Sequence, residues 1–156
     1  MAALLPELRG FARFLARDRP AADDLVQEAL VRALGALDQF QPDTSLKAWM
    51  FTILRNAFYE QQRRRKREAA ALDANYDPPQ PEFSPQERSS DIGDLERHIW
   101  SLPPLLREAL ILVGAQELSH EDAARVCDVP VGTMKARLSR ARTALAAAMR
   151  ASELAR

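Results

Sequence analysis

The sequence predicts an all-α fold of two small helical domains joined by a flexible, acidic, proline-rich linker, and three observations carry that prediction. Apolar residues recur at helical spacing from Leu4 to Phe58 and again from Leu95 to Leu145. Strand-like alternation and internal repeats are absent from the sequence. Between the periodic stretches, residues 69–91 hold four of the ten prolines and almost no periodicity, which reads as a linker. At 156 residues with 47% hydrophobic content, the chain is long enough for one medium or two small helical cores, so disorder throughout is excluded.

Leu4, Leu8, Phe11, Ala12 and Leu15 form the first amphipathic helix, which should stop before Arg19-Pro20 because a residue preceding proline disfavours helical backbone. A second helix follows at once. Asp23 and Asp24 sit where a first turn favours carboxylates, and Leu25, Val26, Ala29, Leu30, Ala33, Leu34 and Leu37 make a wide apolar stripe. Its other face carries Asp24, Gln27 and Glu28. FQPDTS (40–45) reads as a loop in which Thr44 or Ser45 caps the next helix. That helix puts Leu46, Trp49, Met50, Ile53, Leu54, Ala57 and Phe58 on one face and runs on into RRRKR (63–67). Beyond the linker, Leu95, Ile99 and Leu102 resume the spacing, Pro103-Pro104 breaks it, and Leu105, Leu106, Ala109, Leu110 and Val113 continue it. The domains are therefore expected at 1–68 and 92–156, with the linker at 69–91.

In LSHEDAARVCDVPVGTMKARLSRAR, Ser119 with Asp122 resembles a capping box that opens a short helix with Ala123, Ala124, Val126 and Cys127 inside. Asp128-Val129 turns the chain, and Pro130 suits the first turn of the following helix, where its missing N–H costs nothing. A short helix, a turn of about three residues and a longer basic helix make a helix-turn-helix, with small alanines where the helices approach. On a wheel of roughly 100° per residue, Val131, Met134, Leu138, Ala141 and Leu145 share one side. Gly132, Thr133, Ala136, Ser139, Arg140 and Thr143 fall opposite, with Arg137 on one flank and Lys135 and Arg142 on the other. Small residues at the centre let a backbone approach base edges, while the flanking cations can pair with guanine or neutralise phosphate. The alternative for such a helix by itself is a solvated cationic face.

In WMFTILRNAFYEQQRRRKR (49–67), Trp49 lies on the apolar stripe and reads as core. Phe51 and Tyr59 lie off it, beside Arg55 and the basic run. Rings near cations suit unstacked bases on a single strand; packing against a neighbouring helix is the equally open structural reading.

Formal charge totals zero, with 22 basic and 22 acidic residues, which argues against coating nucleic acid by bulk charge. Charge is segregated instead: +5 over 129–156 and +3 over 60–68, against −6 over 69–96. An acidic linker covering a basic surface in the free protein would account for that balance. Cys127 has no disulfide partner, and Cys127, His98 and His120 lack metal-ligand spacing. There is no phosphate loop and no nucleophile–base pair, so no metal, cofactor, small-molecule substrate or enzymatic activity is expected. Without an apolar run near 18 residues or an export leader, no membrane role is expected and a cytoplasmic location is.

Taken together, DDLVQEAL (23–30), FQPDTSLKAWMFTILRN (40–56), RRRKR (63–67), LPPLLREALIL (102–112) and the helix-turn-helix resemble the two regions of extracytoplasmic-function sigma factors, the compact alternative sigma subunits of bacterial RNA polymerase. AWMFTILRNAFYEQQRRRKRE and REALILVGAQELSHEDAARV are similar to the subgroup that runs the general stress response, which is held by an anti-sigma protein. The resemblance implies roles. Asp24, Gln27 and Glu28 would dock on the clamp helices of the polymerase largest subunit, and the second domain on its flap region. Phe40, Asp43, Thr44 and Ser45 would take up a flipped-out base of the minus-10 element, with Arg55, Asn56, Tyr59, Arg63 and Arg64 bordering the melted strand. Thr133, Lys135, Arg137, Ser139, Arg140 and Arg142 would read the minus-35 element. Core RNA polymerase, promoter DNA and an anti-sigma protein are the implied partners. Two other readings stand beside this one: a stand-alone helix-turn-helix regulator, and a sigma mimic that traps anti-sigma protein.

Overall fold

The structure, a computed structural model, describes residues 2–72 and 91–155, and every described element is a helix, a helical turn or a loop. The chain divides into two compact units, Met1–Glu82 and Phe83–Arg156.

In the first unit a 3-10 turn (Ala2–Leu4) leads into α1 (Leu5–Ala16), then α2 (Arg19–Gly35), a second 3-10 turn (Leu37–Gln39) and α3 (Leu46–Leu72). The three helices pack against one another. α1 stops where expected, with Arg17 at φ 64° turning the chain. The start of α2 differs from expectation. Its cap is Asp18, whose carboxylate accepts the Ala21 N–H at 3.4 Å, and Pro20 sits in the first turn, where no N–H is needed. Asp23 and Asp24 therefore lie one turn deeper than the sequence reading put them.

The core of this unit is Leu8, Phe11 and Ala12 from α1, Leu25, Val26, Ala29 and Ala33 from α2, and Met50, Phe51, Leu54 and Ala57 from α3. The inward face of α3 is rotated by part of a turn from the face its periodicity predicts. Phe51, expected off the stripe, is 0% exposed and stacks on Phe11 with ring centroids 4.9 Å apart. Trp49, expected in the core, is only half-buried and leans on Phe40 instead. The α2 stripe also outruns the bundle, leaving Leu34 61% and Leu37 46% exposed.

α3 continues to Leu72, through Ala69, Ala70 and Ala71, so the first four residues of the expected linker are helical, as their high intrinsic propensity favours. Residues 73–90 of that linker, including Asp73, Asp77, Glu82 and Glu87, lie outside the described residues.

The second unit holds α4 (Asp91–Ser101), α5 (Pro104–Leu110), a π-helical turn (Ile111–Ala115), α6 (His120–Cys127) and α7 (Val131–Leu154). α4, α5 and α6 all pack on α7. At the Pro103-Pro104 break, Arg107 reaches back to the end of α4. Its guanidinium donates to the carbonyls of Trp100 at 3.0 Å and Leu102 at 3.2 Å and covers the Trp100 ring at 4.5 Å, a cation closing a helix C-terminus. The π turn, marked by the Gln116 N–H donating to the Ile111 carbonyl at 2.8 Å, rotates the stripe beyond Leu110. Ile111 and Leu112 are consequently buried and Val113 half-buried; Leu105, ahead of the turn, is exposed.

Candidate nucleic-acid interface

The helix-turn-helix is built by its caps. Ser119 Oγ accepts the Asp122 N–H at 3.0 Å and starts α6, while the Asp122 carboxylate leans 3.4 Å towards Arg125. α6 ends on Asp128 at φ 55° and ψ 51°, a left-handed residue that aspartate tolerates better than most. The Val129 N–H then donates to the Ala124 carbonyl at 3.0 Å and the Asp128 N–H to the Arg125 carbonyl at 3.2 Å, which closes the helix and reverses the chain. Pro130 is the N-cap of α7 rather than a residue of its first turn, with ψ 151°; its carbonyl accepts the Met134 N–H at 3.2 Å. Ala123 and Ala124 are buried, which sets the close approach of α6 and α7.

That geometry orients α7 as the wheel predicted. Met134, Leu138 and Ala141 are buried, whereas Gly132, Lys135, Ser139, Arg140, Arg142 and Thr143 are exposed and Thr133, Ala136 and Arg137 half-buried. A Cβ added at Gly132 would meet nothing within 4 Å, so the start of the outward face is open. The result is a cationic rim around a shallow centre. Arg125, on the preceding helix and exposed, adds a cation that sequence reasoning missed; its position three residues before the turn was the available signal.

In the first unit the loop after Phe40 is braced at both ends. The Phe40 N–H donates to the Leu37 carbonyl at 3.2 Å, and its ring lies 5.2 Å from that of Trp49. Thr44 Oγ1 donates to the Gln41 carbonyl at 2.7 Å, and Ser45 Oγ accepts the Ala48 N–H at 3.1 Å, so Ser45 is the cap of α3. Gln41, Pro42 and Asp43 form the exposed tip. Further along α3, Asn56, Arg63 and Arg64 are exposed and Arg55 and Tyr59 half-buried, with the Arg55 guanidinium 4.7 Å from the Tyr59 ring centre. Phe51 belongs to the core and is removed from any strand-facing set.

The three residues expected to dock on polymerase separate. Asp24 and Gln27 are exposed, but Glu28 is half-buried and engaged: it accepts from Arg32 at 2.8 Å and from the Gln61 side chain, and Arg32 also reaches Glu60 at 2.8 Å. For Arg32, burial works against the charge, and the hydrogen bonds and charges of Glu60 and Glu28 outweigh it, raising its pKa. Glu28 therefore ties α2 to α3. The Glu28–Arg32 spacing of four was visible in the sequence; Glu60 and Gln61 were not, because that pairing depends on how the helices cross. Asp24 also shares a groove with Asp18, Gln61, Arg64, Arg65 and Glu68, which joins residues assigned to polymerase and to DNA along one surface. Among the described residues no group of three or more His, Cys, Asp or Glu side chains is placed to hold a metal, and no helix is long and apolar enough to cross a membrane.

Residues 1–68 match the family Sigma-70 region 2, and residues 93–145 match Sigma-70, region 4. The chain is 46% identical over 145 residues to the ECF RNA polymerase sigma factor EcfG of Rhodopseudomonas palustris, covering 93% of this chain and 80% of that one. To the ECF RNA polymerase sigma factor SigC of Mycobacterium tuberculosis it is 36% identical, covering 86% of this chain and 75% of the relative. Its fold matches the sigma factor RpoE of Bartonella quintana, solved in complex with the anti-sigma factor NepR, with a TM-score of 0.80 at 41% identity over 96% of this chain and 93% of that one. Both units thus carry the family's regions in the family's order, and the chain belongs to the sigma-70 family and, within it, to the ECF RNA polymerase sigma factors.

Proposed function

We propose that this chain is an alternative sigma factor that binds core RNA polymerase, directs promoter-specific initiation of general stress response genes in the cytoplasm, and is restrained by an anti-sigma protein. It supplies recognition, not a reacting centre. The observation that carries this reading is the exposed face of α7, small at its centre and rimmed by Lys135, Arg140 and Arg142, presented by a capped helix and a tight turn on the same chain as a sigma region 2 bundle. A groove-reading helix and a unit suited to single strand, carried together, fit promoter opening; a stand-alone duplex binder leaves the second unused.

Asp24 and Gln27 dock on the clamp helices, with Glu28 stiffening the face from behind through Arg32 and Gln61. The second unit contacts the flap region. The braced loop from Phe40 to Ser45 takes a flipped-out minus-10 base, and Asn56, Tyr59, Arg63 and Arg64 follow the melted strand. Thr133, Lys135, Arg137, Ser139, Arg140 and Arg142 read the minus-35 element in the major groove. The stress assignment rests on the resemblance of AWMFTILRNAFYEQQRRRKRE and REALILVGAQELSHEDAARV to that subgroup, and the anti-sigma partner is supported by the complex in which RpoE was solved.

Arg137→Ala tests the reader helix. If Arg137 pairs with a base edge, the holoenzyme loses about 1–3 kcal/mol of discrimination at one minus-35 position. An equal loss on every sequence would assign Arg137 to phosphate instead.

A further inference from the structure

We propose that Arg32 is a positioning residue: by holding the Glu60 carboxylate against α2, it keeps that carboxylate off Arg63 and Arg64 and leaves both guanidinium groups to the phosphates of the melted strand. In the sequence, Glu60 stands three residues before Arg63 and four before Arg64. Those spacings bring side chains on one helix together, and a glutamate four residues ahead of a cation is the favoured order. By local rules Glu60 should therefore pair along α3. In the structure it pairs across to α2 instead, 2.8 Å from Arg32. The same Arg32 nitrogen lies 2.8 Å from Glu28, and the second Glu28 oxygen accepts from Gln61, so two residues from each helix close one cluster. Arg63 and Arg64 remain exposed one turn beyond Glu60.

The direction in which Glu60 points matters for two reasons. On α3 it is the neighbour of Asn56, Arg63 and Arg64, all exposed, and an ion pair with either arginine would cancel a charge that a phosphate needs. Arg64 also lines a groove with Asp18, Asp24 and Glu68, so a further carboxylate there would leave it little attraction for an anion. The side chains of Arg32 and Glu60 are 33% and 46% exposed, so their ion pair adds little to stability; what it sets is where one carboxylate points. The proposal rests on the reading that α3 borders melted DNA.

The test uses the full chain in holoenzyme, titrated across salt concentrations with a single-stranded oligonucleotide carrying the nontemplate strand of a promoter it transcribes. Arg63→Gln and Arg64→Gln should each reduce the slope of log affinity against log salt by about 0.7. Arg32 itself meets no phosphate, yet Arg32→Gln should reduce the slope by a similar amount and weaken binding about 4-fold at about 0.15 M salt, because Glu60 turns onto one of the two arginines. Glu60→Gln should keep wild-type affinity and slope although it breaks the same contact between the helices, and in the Glu60→Gln protein Arg32→Gln should cost almost nothing. Three results would each overturn this proposal alone. If Glu60→Gln weakens binding as Arg32→Gln does, the cluster is only a structural tie. If Arg32→Gln costs as much in the Glu60→Gln protein as in wild type, Arg32 acts on the strand by its own charge. If Arg32→Gln changes neither affinity nor slope while Arg63→Gln and Arg64→Gln do, Glu60 does not turn. Should Arg63→Gln and Arg64→Gln leave the slope unchanged, α3 meets no phosphate there, and the proposal falls together with the single-strand reading of α3.

Discussion

Phe51→Ala separates the core role of this ring from the strand-facing role that its sequence context suggested. Phe51 is 0% exposed and stacked on Phe11 at 4.9 Å, so the deletion forfeits its transfer energy, leaves a cavity and breaks an aromatic pair. Together these should cost about 3–5 kcal/mol. That is a large part of what a unit of this size has, since whole domains hold roughly 5–15 kcal/mol. With a urea slope of about 1 kcal/mol/M, the midpoint should fall by about 3–5 M or the unit should be unfolded in buffer. The chain provides its own reporters. It has two tryptophans, Trp49 in the first unit and Trp100 in the second, so Trp100→Phe leaves an indole that reports only on the first unit and Trp49→Phe one that reports only on the second. The Trp49 transition should collapse while the Trp100 transition stays in place, and Phe51→Leu, which keeps most of the volume, should cost only about 1–2 kcal/mol. A Trp49 midpoint unmoved by Phe51→Ala, accompanied by lost single-strand affinity, would refute the core assignment.

Three further substitutions test the second unit through Trp100 fluorescence. Ser119→Ala removes the 3.0 Å cap of α6 and should cost about 1 kcal/mol; no change would mean that the cap adds nothing to the motif. Asp128→Gly relieves a side chain held at φ 55° and should be neutral or stabilising by up to about 1 kcal/mol, whereas marked destabilisation would show that the Asp128 side chain contributes more than the strain it imposes. Gly132→Ala adds a Cβ that meets nothing within 4 Å, so stability should rise by up to about 1 kcal/mol. Minus-35 duplex affinity in holoenzyme should fall if DNA approaches this backbone, and an undiminished affinity would move the contact elsewhere on α7.

Periodicity made the helices legible, and composition separated the two units, because both depend on which residues are apolar and how far apart they lie. The outward face of α7 was legible for the same reason: Met134, Leu138 and Ala141 leave little choice of inner side. Trp49-Met50-Phe51 was not. Three adjacent large apolar residues span too wide an arc for a wheel to decide which faces in, and the contact with Phe11 on another helix settled it. The stripe beyond Leu110 was missed because a π turn adds a residue to the repeat, and no Gly or Pro marks the spot within Ile111–Ala115 other than Gly114. Glu28 was assigned by its place on a polar face, yet Arg32 on its own helix and Gln61 on α3 both claim it, and the Gln61 contact comes from a helix crossing that single-helix reasoning does not describe. Ser119 was legible as a cap, and Ser45 as one of two candidates with Thr44, because a cap needs only the residues beside it.

Transcription in vitro with purified core RNA polymerase tests the sigma assignment most directly. Initiation from a defined start site should appear only when this protein is added. It should be lost with Asp24→Ala/Gln27→Ala while the unfolding transition of the first unit is retained. A protein that binds promoter duplex by itself but leaves core polymerase unable to initiate on its own genome's promoters would contradict the account.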